Sequence, residues 1–216
     1  MENSEKMKEV ALKVASELLR IEAIKLSVEN PFTWASGWKS PIYCDNRLSL
    51  SFPEIRTYIK SKLAEAVKTH FPDAEAIAGV ATAGIPQGAL LAEELGLPFL
   101  YVRSKPKGHG MENLIEGKAI EGQKVVVIED LISTGGSSIK ASEALKAAKV
   151  EVLGMLAIFT YGFPLADENF EKAGIELHTL SDYSTMLEIA KDLGYVGVKD
   201  LASLEEWRKD PSVWGK

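Results

Sequence analysis

Cysteine is nearly absent: Cys44 is the one thiol among 216 residues. No disulfide can close within the chain, which fits a reducing cytoplasm and excludes a disulfide-stapled scaffold. Cys44 lies in the apolar stretch SPIYCD with no histidine near it in sequence, so it reads as an inert structural thiol. Long hydrophobic runs are also missing. No apolar segment approaches the ~20 residues that cross a bilayer, and the N-terminus MENSEKMKEV carries both signs of charge, unlike a signal peptide. There is no excess of positive charge either, since 25 basic and 31 acidic side chains leave −6 at pH 7. That disfavours a generic nucleic-acid binder but leaves room for a local basic pocket that holds a small anion. No G-x-x-x-x-G-K-[ST] occurs and no G-x-G-x-x-G follows a strand, so the P-loop and the dinucleotide fingerprint are both excluded. No His/Cys/Asp cluster has zinc-ligand spacing, and His70 and His178 read as structural, at a helix end and in a strand. Internal repeats and low-complexity segments are absent.

What is present is an alternation of two periods. Val10, Val14, Leu18, Leu19 and Ile24 fall at helical spacing over residues 5–25. NPFTWASGWKSPIY breaks that pattern and reads as short β segments around a turn. SFPE at 51–54 has the form of a capping box, and Ile55, Ile59, Leu63 and Val67 then mark one helical face. From there the rhythm is strand, turn, helix: AIAGVA (76–81), a helix through QGALLAEEL stopped by Gly96, PFLYV (98–102), KVVVIE (124–129), a helix over 137–149, VEVLGMLAIFTY (150–161) and IELHTL (175–180). Residues 103–117 are polar and aperiodic. STMLE (184–188) opens a further helix, and SLEEWRKDPSVWGK begins with a short helical turn. Fully apolar strands alternating with helices predict an α/β fold with a mostly parallel sheet covered on both faces. The expected organisation is a single domain over 1–216: an N-terminal helix and hood (1–50), an α/β core (70–180) and a C-terminal helical tail (181–216).

KVVVIEDLISTGGSS (124–138) carries the chemistry. Ligands of open α/β sheets bind beyond the carboxyl ends of the strands, so a strand ending at Glu129 and Asp130 puts both carboxylates at that crevice. The turn that follows opens a helix. Gly135 and Gly136 let the backbone close round an anion, Ser133, Thr134, Ser137 and Ser138 add hydroxyls, and the helix N-terminus adds its dipole. A phosphate suits the loop. The two acids would repel that phosphate and therefore serve another part of the same ligand, for which a sugar diol is the natural candidate. A ribose phosphate satisfies both.

Four apolar residues, Glu-Asp, two apolar residues and Ser-Thr-Gly-Gly-Ser are similar to the phosphoribosyl-pyrophosphate motif of the type I phosphoribosyltransferases. The resemblance implies the type I phosphoribosyltransferase fold with an N-terminal hood. It also implies that Glu129 and Asp130 bind the ribose hydroxyls and that residues Leu131, Ile132, Ser133, Thr134, Gly135, Gly136 and Ser137 line and cradle the 5′-phosphate. YVRSKPKGHG (101–110) resembles the catalytic loop of the orotate phosphoribosyltransferase family, with Arg103, Lys107 and His109 matching and Ser104 where some members carry a lysine. FTWASGWKSPIYCDNR (32–47) is similar to the same family's hood, matching at Ser36, Gly37, Ser40, Pro41 and Tyr43. GVATAGIP (79–86) matches its diphosphate-binding turn, with Ala83 where some members have lysine.

Carried over residue by residue, the family implies transfer of a phosphoribosyl group to orotate in pyrimidine nucleotide synthesis. Lys107, Arg103, His109 and Asp130 would be catalytic, with Lys107 the cation that matters most to rate. Thr82 and Ala83 would meet the diphosphate, and Tyr43, Cys44 and Ser133 the orotate, with Lys39 a further contact. Mg²⁺ is the implied cofactor, bound mainly through substrate rather than by direct protein ligands. A homodimer with shared active sites, no nucleic acid and no membrane completes the expectation. One departure stands out. AIFTYGF (157–163) has no arginine where some members present one to the orotate carboxylate, so either Tyr161 and backbone donors take its place or the base is a different one. A phosphoribosyltransferase for a purine or another base, and a non-catalytic phosphoribosyl-pyrophosphate-binding regulator, stay open beside the orotate reading. Trp207 and Trp214 either pack the tail down or meet a partner.

Overall fold

The structure is a computed structural model that describes residues 2–34, 37–105 and 114–215. Its centre is a sheet of β5 (Ala76–Val80), β6 (Phe99–Val102), β7 (Ile115–Glu116), β8 (Lys124–Ile132), β9 (Glu151–Thr160) and β10 (Leu177–Asp182), in the order β10-β9-β8-β5-β6-β7. Every neighbouring pair is parallel except β6 with β7. Alternate residues of β8 feed opposite cores: Val126 and Ile128 join one buried cluster, Val125 and Val127 the other. The first cluster is closed by α1 (Glu2–Arg20), α2 (Pro53–His70), α3 (Gly84–Leu95), α6 (Tyr183–Asp192) and α7 (Val198–Lys209), the second by α4 (Gly136–Ala147) and α5 (Pro164–Ala173). Burial on both faces explains why the central strands, past the charged first residues Lys124 and Glu151, stay apolar until their carboxyl ends.

Several local details differ from the sequence expectation. The first helix stops at Arg20, because Glu22 takes a left-handed φ of 57°. Ile24, expected on that helix, begins β1 (Ile24–Leu26) and pairs with Cys44 on β4 (Ile42–Cys44). No capping box forms at 51–54. Ser51 closes a 3-10 turn over Asn46–Ser51, and α2 starts at Pro53, whose fixed φ suits a first helical position, with no side-chain cap. Gly96 ends α3 in the left-handed conformation, as expected. The aperiodic stretch holds β7, and the turn in the tail is the twelve-residue α7. The helix α5 was not expected at all. A second small ladder, β2 (Phe32–Thr33) with β3 (Lys39–Ser40), completes the hood over the carboxyl ends of the sheet. Among the described residues no helix is long and apolar enough to cross a membrane.

Candidate active site

The strand β8 does not end at the two acids but runs on to Ile132. Strict alternation would send Glu129 and Asp130 to opposite faces of the sheet. Instead the alternation slips there, since Ile128 and Leu131 both pack on the first cluster while Ile132 packs on the second. The two carboxyls lie close enough to interact directly. Glu129 is buried; its Oε1 accepts from the Asp130 amide at 3.1 Å and its Oε2 from Ser138 Oγ at 3.0 Å. Burial pushes the Glu129 carboxyl well above the ordinary range, and the neighbouring Asp130 charge pushes it further. Burial also raises Asp130, partly countered by hydrogen bonds to its carboxylate and by the Arg47 guanidinium. The pair is therefore disposed to retain a proton. Ser138, expected among the anion's donors, is spent on Glu129.

The loop between Ile132 and α4 is shaped from beneath by α5. Gly135 caps α4 with φ 78°, and a Cβ there would meet the Phe170 ring at 2.6 Å. Only glycine satisfies both constraints. Asn169 Nδ2 donates to the Thr134 carbonyl at 2.9 Å, and the Tyr161 amide to the Ile132 carbonyl at 3.0 Å. With its carbonyls tied back, the loop presents amides and the exposed Ser137 at the start of α4, the geometry that suits an anion. Ser133 and Thr134 are half-buried on the same loop.

The turn between β5 and α3 is pressed against this strand. Gly84 sits so close to the Ile128 carbonyl that a Cβ would collide with it, and Gly79 lies under Gly84, where a Cβ would be 2.7 Å from the Gly84 carbonyl oxygen. This contact sets Thr82 and Ala83 beside Glu129, and the Ala81–Thr82 peptide there is cis. The hood is attached to the same place. Asn46, which the sequence reading overlooked, is buried; its Nδ2 donates to the Asp130 carbonyl at 2.7 Å, and its Oδ1 accepts from Cys44 Sγ at 3.3 Å. Cys44 lies near Asp130 and Asp45, and burial followed by those charges holds its thiol protonated. Arg47, also overlooked, is clamped by Asp45 at 2.6 Å and 2.9 Å and lies near Asp130 and Tyr43. Tyr43 is exposed, with Phe32 5.7 Å away. Lys39 instead reaches back to Thr33 Oγ1 at 3.0 Å across the hood's small ladder.

Tyr161, at the end of β9, is buried under Trp34, with ring centroids 5.3 Å apart, and its phenol, raised by burial and by nearby acids, stays a neutral donor. Trp207 of α7 closes the same aromatic cluster at 5.5 Å from Tyr161 and 5.7 Å from Trp34. The tail is thus packed down on the hood through Trp207, and Trp214 Nε1 donates to Ser203 Oγ at 3.2 Å. Arg103 leads from β6 towards the basic loop, with Nη1 on Glu116 Oε1 at 2.9 Å. Lys107, His109 and Ser36 lie outside the described residues. The structure thus brings Glu129, Asp130, residues 131–137, Thr82, Ala83, Tyr43 and Cys44 to one end of the sheet, with Arg103 at its rim.

Residues 49–174 match the family model described as phosphoribosyl transferase domain. The chain is a phosphoribosyltransferase by class. It is 60% identical to an orotate phosphoribosyltransferase of Cytophaga hutchinsonii over 203 residues, covering 94% of this chain and 97% of that protein. Against the orotate phosphoribosyltransferase of Bacillus subtilis it is 57% identical over 198 residues, 92% of each chain. A crystal structure of orotate phosphoribosyltransferase from Aeropyrum pernix superposes with a TM-score of 0.74 at 30% identity, covering 85% of this chain and 99% of that one. The chain belongs to the orotate phosphoribosyltransferase family.

Proposed function

We propose that this end of the sheet binds phosphoribosyl pyrophosphate and orotate as a single-domain enzyme. The chain transfers the phosphoribosyl group to orotate, giving orotidine 5′-monophosphate and diphosphate. The observation that carries the assignment of the site is the convergence of three parts on Glu129 and Asp130: an anion loop, a tightly packed strand–helix turn and the hood. In this reading the amides and hydroxyls of Ser133 to Ser137 hold the 5′-phosphate. Glu129 and Asp130 accept hydrogen bonds from the ribose diol and, when ionised, favour the positive charge that grows on the anomeric carbon as diphosphate leaves. Thr82 and Ala83 face the diphosphate through backbone amides. Arg103 exchanges Glu116 for the diphosphate as Lys107 and His109 close over it, and a fixed array of such donors is worth most where charge develops. Tyr43, Cys44 and Ser133 border the base, and the neutral Tyr161 phenol lies close behind them.

The oxygen donors of the site fit a hard dication. Asp130 offers a half-buried carboxylate beside serine and threonine hydroxyls, and Cys44 stays a protonated thiol. Mg²⁺ held mainly by substrate oxygens would neutralise diphosphate charge. A cytoplasmic homodimer with shared sites completes the proposal, since the 101–110 loop resembles one that reaches a neighbouring subunit.

The test is a spectrophotometric assay with protein, Mg²⁺, phosphoribosyl pyrophosphate and orotate. Loss of orotate absorbance that requires all four components is the expected result. Consumption of hypoxanthine in place of orotate would overturn the choice of base. Lys107→Ala should lower turnover on the order of 10²–10³-fold, and full turnover would refute the role given to the loop.

A further inference from the structure

At the opposite end of the sheet, on its β10 edge, lies a second cluster that the transferase reaction does not use. His70 is the last residue of α2, and Glu176 and His178 stand two apart at the start of β10. Two residues apart on a strand means one face, and α2 ends over that face. The imidazoles of His70 and His178 stack at 3.6 Å with 24° between their planes, and His178 Nε2 is 2.6 Å from Glu176 Oε1. One donor atom from each of the three residues lies within 4.8 Å of the others. The backbone beneath is fixed, because the Glu176 carbonyl accepts from the Met155 amide at 2.8 Å and Phe71 packs edge-on to His178 at 5.8 Å.

We propose that His70, Glu176 and His178 form a binding site for one transition-metal dication of the Zn²⁺ type, separate from the Mg²⁺ of the reaction. The donor set decides the class: two imidazole nitrogens with one carboxylate oxygen suit Zn²⁺, Co²⁺ or Ni²⁺, whereas Mg²⁺ takes oxygen. The separations fit with small adjustments. Ligands about 2.1 Å from a tetrahedral ion sit roughly 3.4 Å from one another. Histidine χ2 is a soft torsion, and the Glu176 side chain is 59% exposed, so its carboxylate can shift together with the His178 ring it contacts. Turning both rings so that their lone pairs converge moves no backbone. A dication would serve both rings at once. The two histidines border an open groove of about 440 Å³ between α1, α2 and β10, which leaves room for water as the remaining ligand. Three protein ligands with an open position give a site that links the end of α2 to an edge strand over 100 residues away.

The experiment uses the tag-free full-length chain, stripped with chelator and titrated with ZnCl₂ by calorimetry, with Co²⁺ absorbance as a second readout. The expected result is one equivalent per chain, a Tm raised by roughly 5–10 °C at 100-fold excess over Kd, and visible Co²⁺ bands of a low-coordinate site. His70→Gln and His178→Gln, which keep a polar side chain of similar size, should each weaken binding at least tenfold. Their melting without metal checks that they fold. Wild-type binding in both variants, loss of binding only in His109→Gln, or no Zn²⁺ uptake by the wild type would each overturn the site.

Discussion

Replacing Asn46 by alanine should loosen the hood without replacing any residue assigned to substrate chemistry. The pairing of β8 with β5 stops at Gly79 opposite Ile128, so on that side the Asp130 carbonyl has no strand partner. Asn46 Nδ2 takes its place at 2.7 Å, across 84 positions of sequence. Leaving a buried carbonyl unpaired costs about 1–3 kcal/mol. For a chain of this length that amounts to a fall in Tm of roughly 2–12 °C, at about 2–4 °C per kcal/mol. Because Asn46 also joins Cys44 to the strand, the base side of the site should suffer more than the phosphate side. Urea denaturation and steady-state kinetics are the assays, with KM for orotate expected to rise by more than KM for phosphoribosyl pyrophosphate. Asn46→Asp supplies the internal control. It keeps the shape and the acceptor for Cys44 but turns a donor into a carboxylate oxygen facing the carbonyl, so it should be worse than alanine. A stability change under about 0.5 kcal/mol for Asn46→Ala, or an aspartate variant as stable as alanine, would refute the account of how the hood is attached.

Two further substitutions probe the packing. Gly84→Ala drives a Cβ into the Ile128 carbonyl, and because backbone meets backbone it should cost at least about 1–3 kcal/mol and lower turnover by parting the Thr82–Ala83 turn from Glu129. Gly136→Ala has open space and no positive φ, so denaturant midpoints should separate the two, and equal stabilities would refute the contact. Trp207→Ala empties the centre of the aromatic cluster and should cost about 3–5 kcal/mol. Trp207→Phe should cost much less, since the buried Trp207 Nε1 has no hydrogen-bond partner among the described residues. Fluorescence-monitored melting distinguishes the two.

Much of this was legible in the sequence because burial on both sheet faces leaves apolar strands that can be read directly, and because the 124–138 stretch puts strand, acids and anion loop in one continuous segment. What escaped notice was what supports that segment from elsewhere. The helix α5 carried its own signals: Pro164 at the start, Gly174 at the end, and Ala166 and Phe170 four apart on its buried side. Those signals lay in a short stretch between two strong strands. Asn46 and Ser138 look like ordinary polar residues, and only the fold shows that one pairs a strand carbonyl and the other a buried carboxyl. The His70–Glu176–His178 cluster was invisible for the same reason. Glu176 and His178 are two apart, but His70 comes from the end of α2 more than 100 residues earlier, so no linear spacing betrays the set.

The Glu129–Asp130 pair links substrate binding to protons. Both carboxyls are raised, Glu129 by burial and then by Asp130, and Asp130 by burial. A carboxyl raised on folding stabilises the chain fully below its unfolded value of about 4.3 and loses that contribution as pH climbs through the folded value. The ligand-free protein should therefore lose stability towards neutral and alkaline pH, and Glu129→Gln should flatten that slope. Binding reverses the preference. A diol donates two hydrogen bonds, which the pair accepts best when ionised, so phosphoribosyl pyrophosphate with Mg²⁺ should expel the shared proton. Calorimetry in two buffers of different ionisation enthalpy, from about pH 5 to about pH 8, reads this as a difference in observed heat. The substrate's own phosphates titrate in that range too, so the decisive quantity is the difference between wild type and Glu129→Gln. Proton release that is smaller in the variant supports the pair as the diol acceptor. Identical release in both proteins would mean that the carboxyls keep their proton on binding, and the ribose would have to be held some other way.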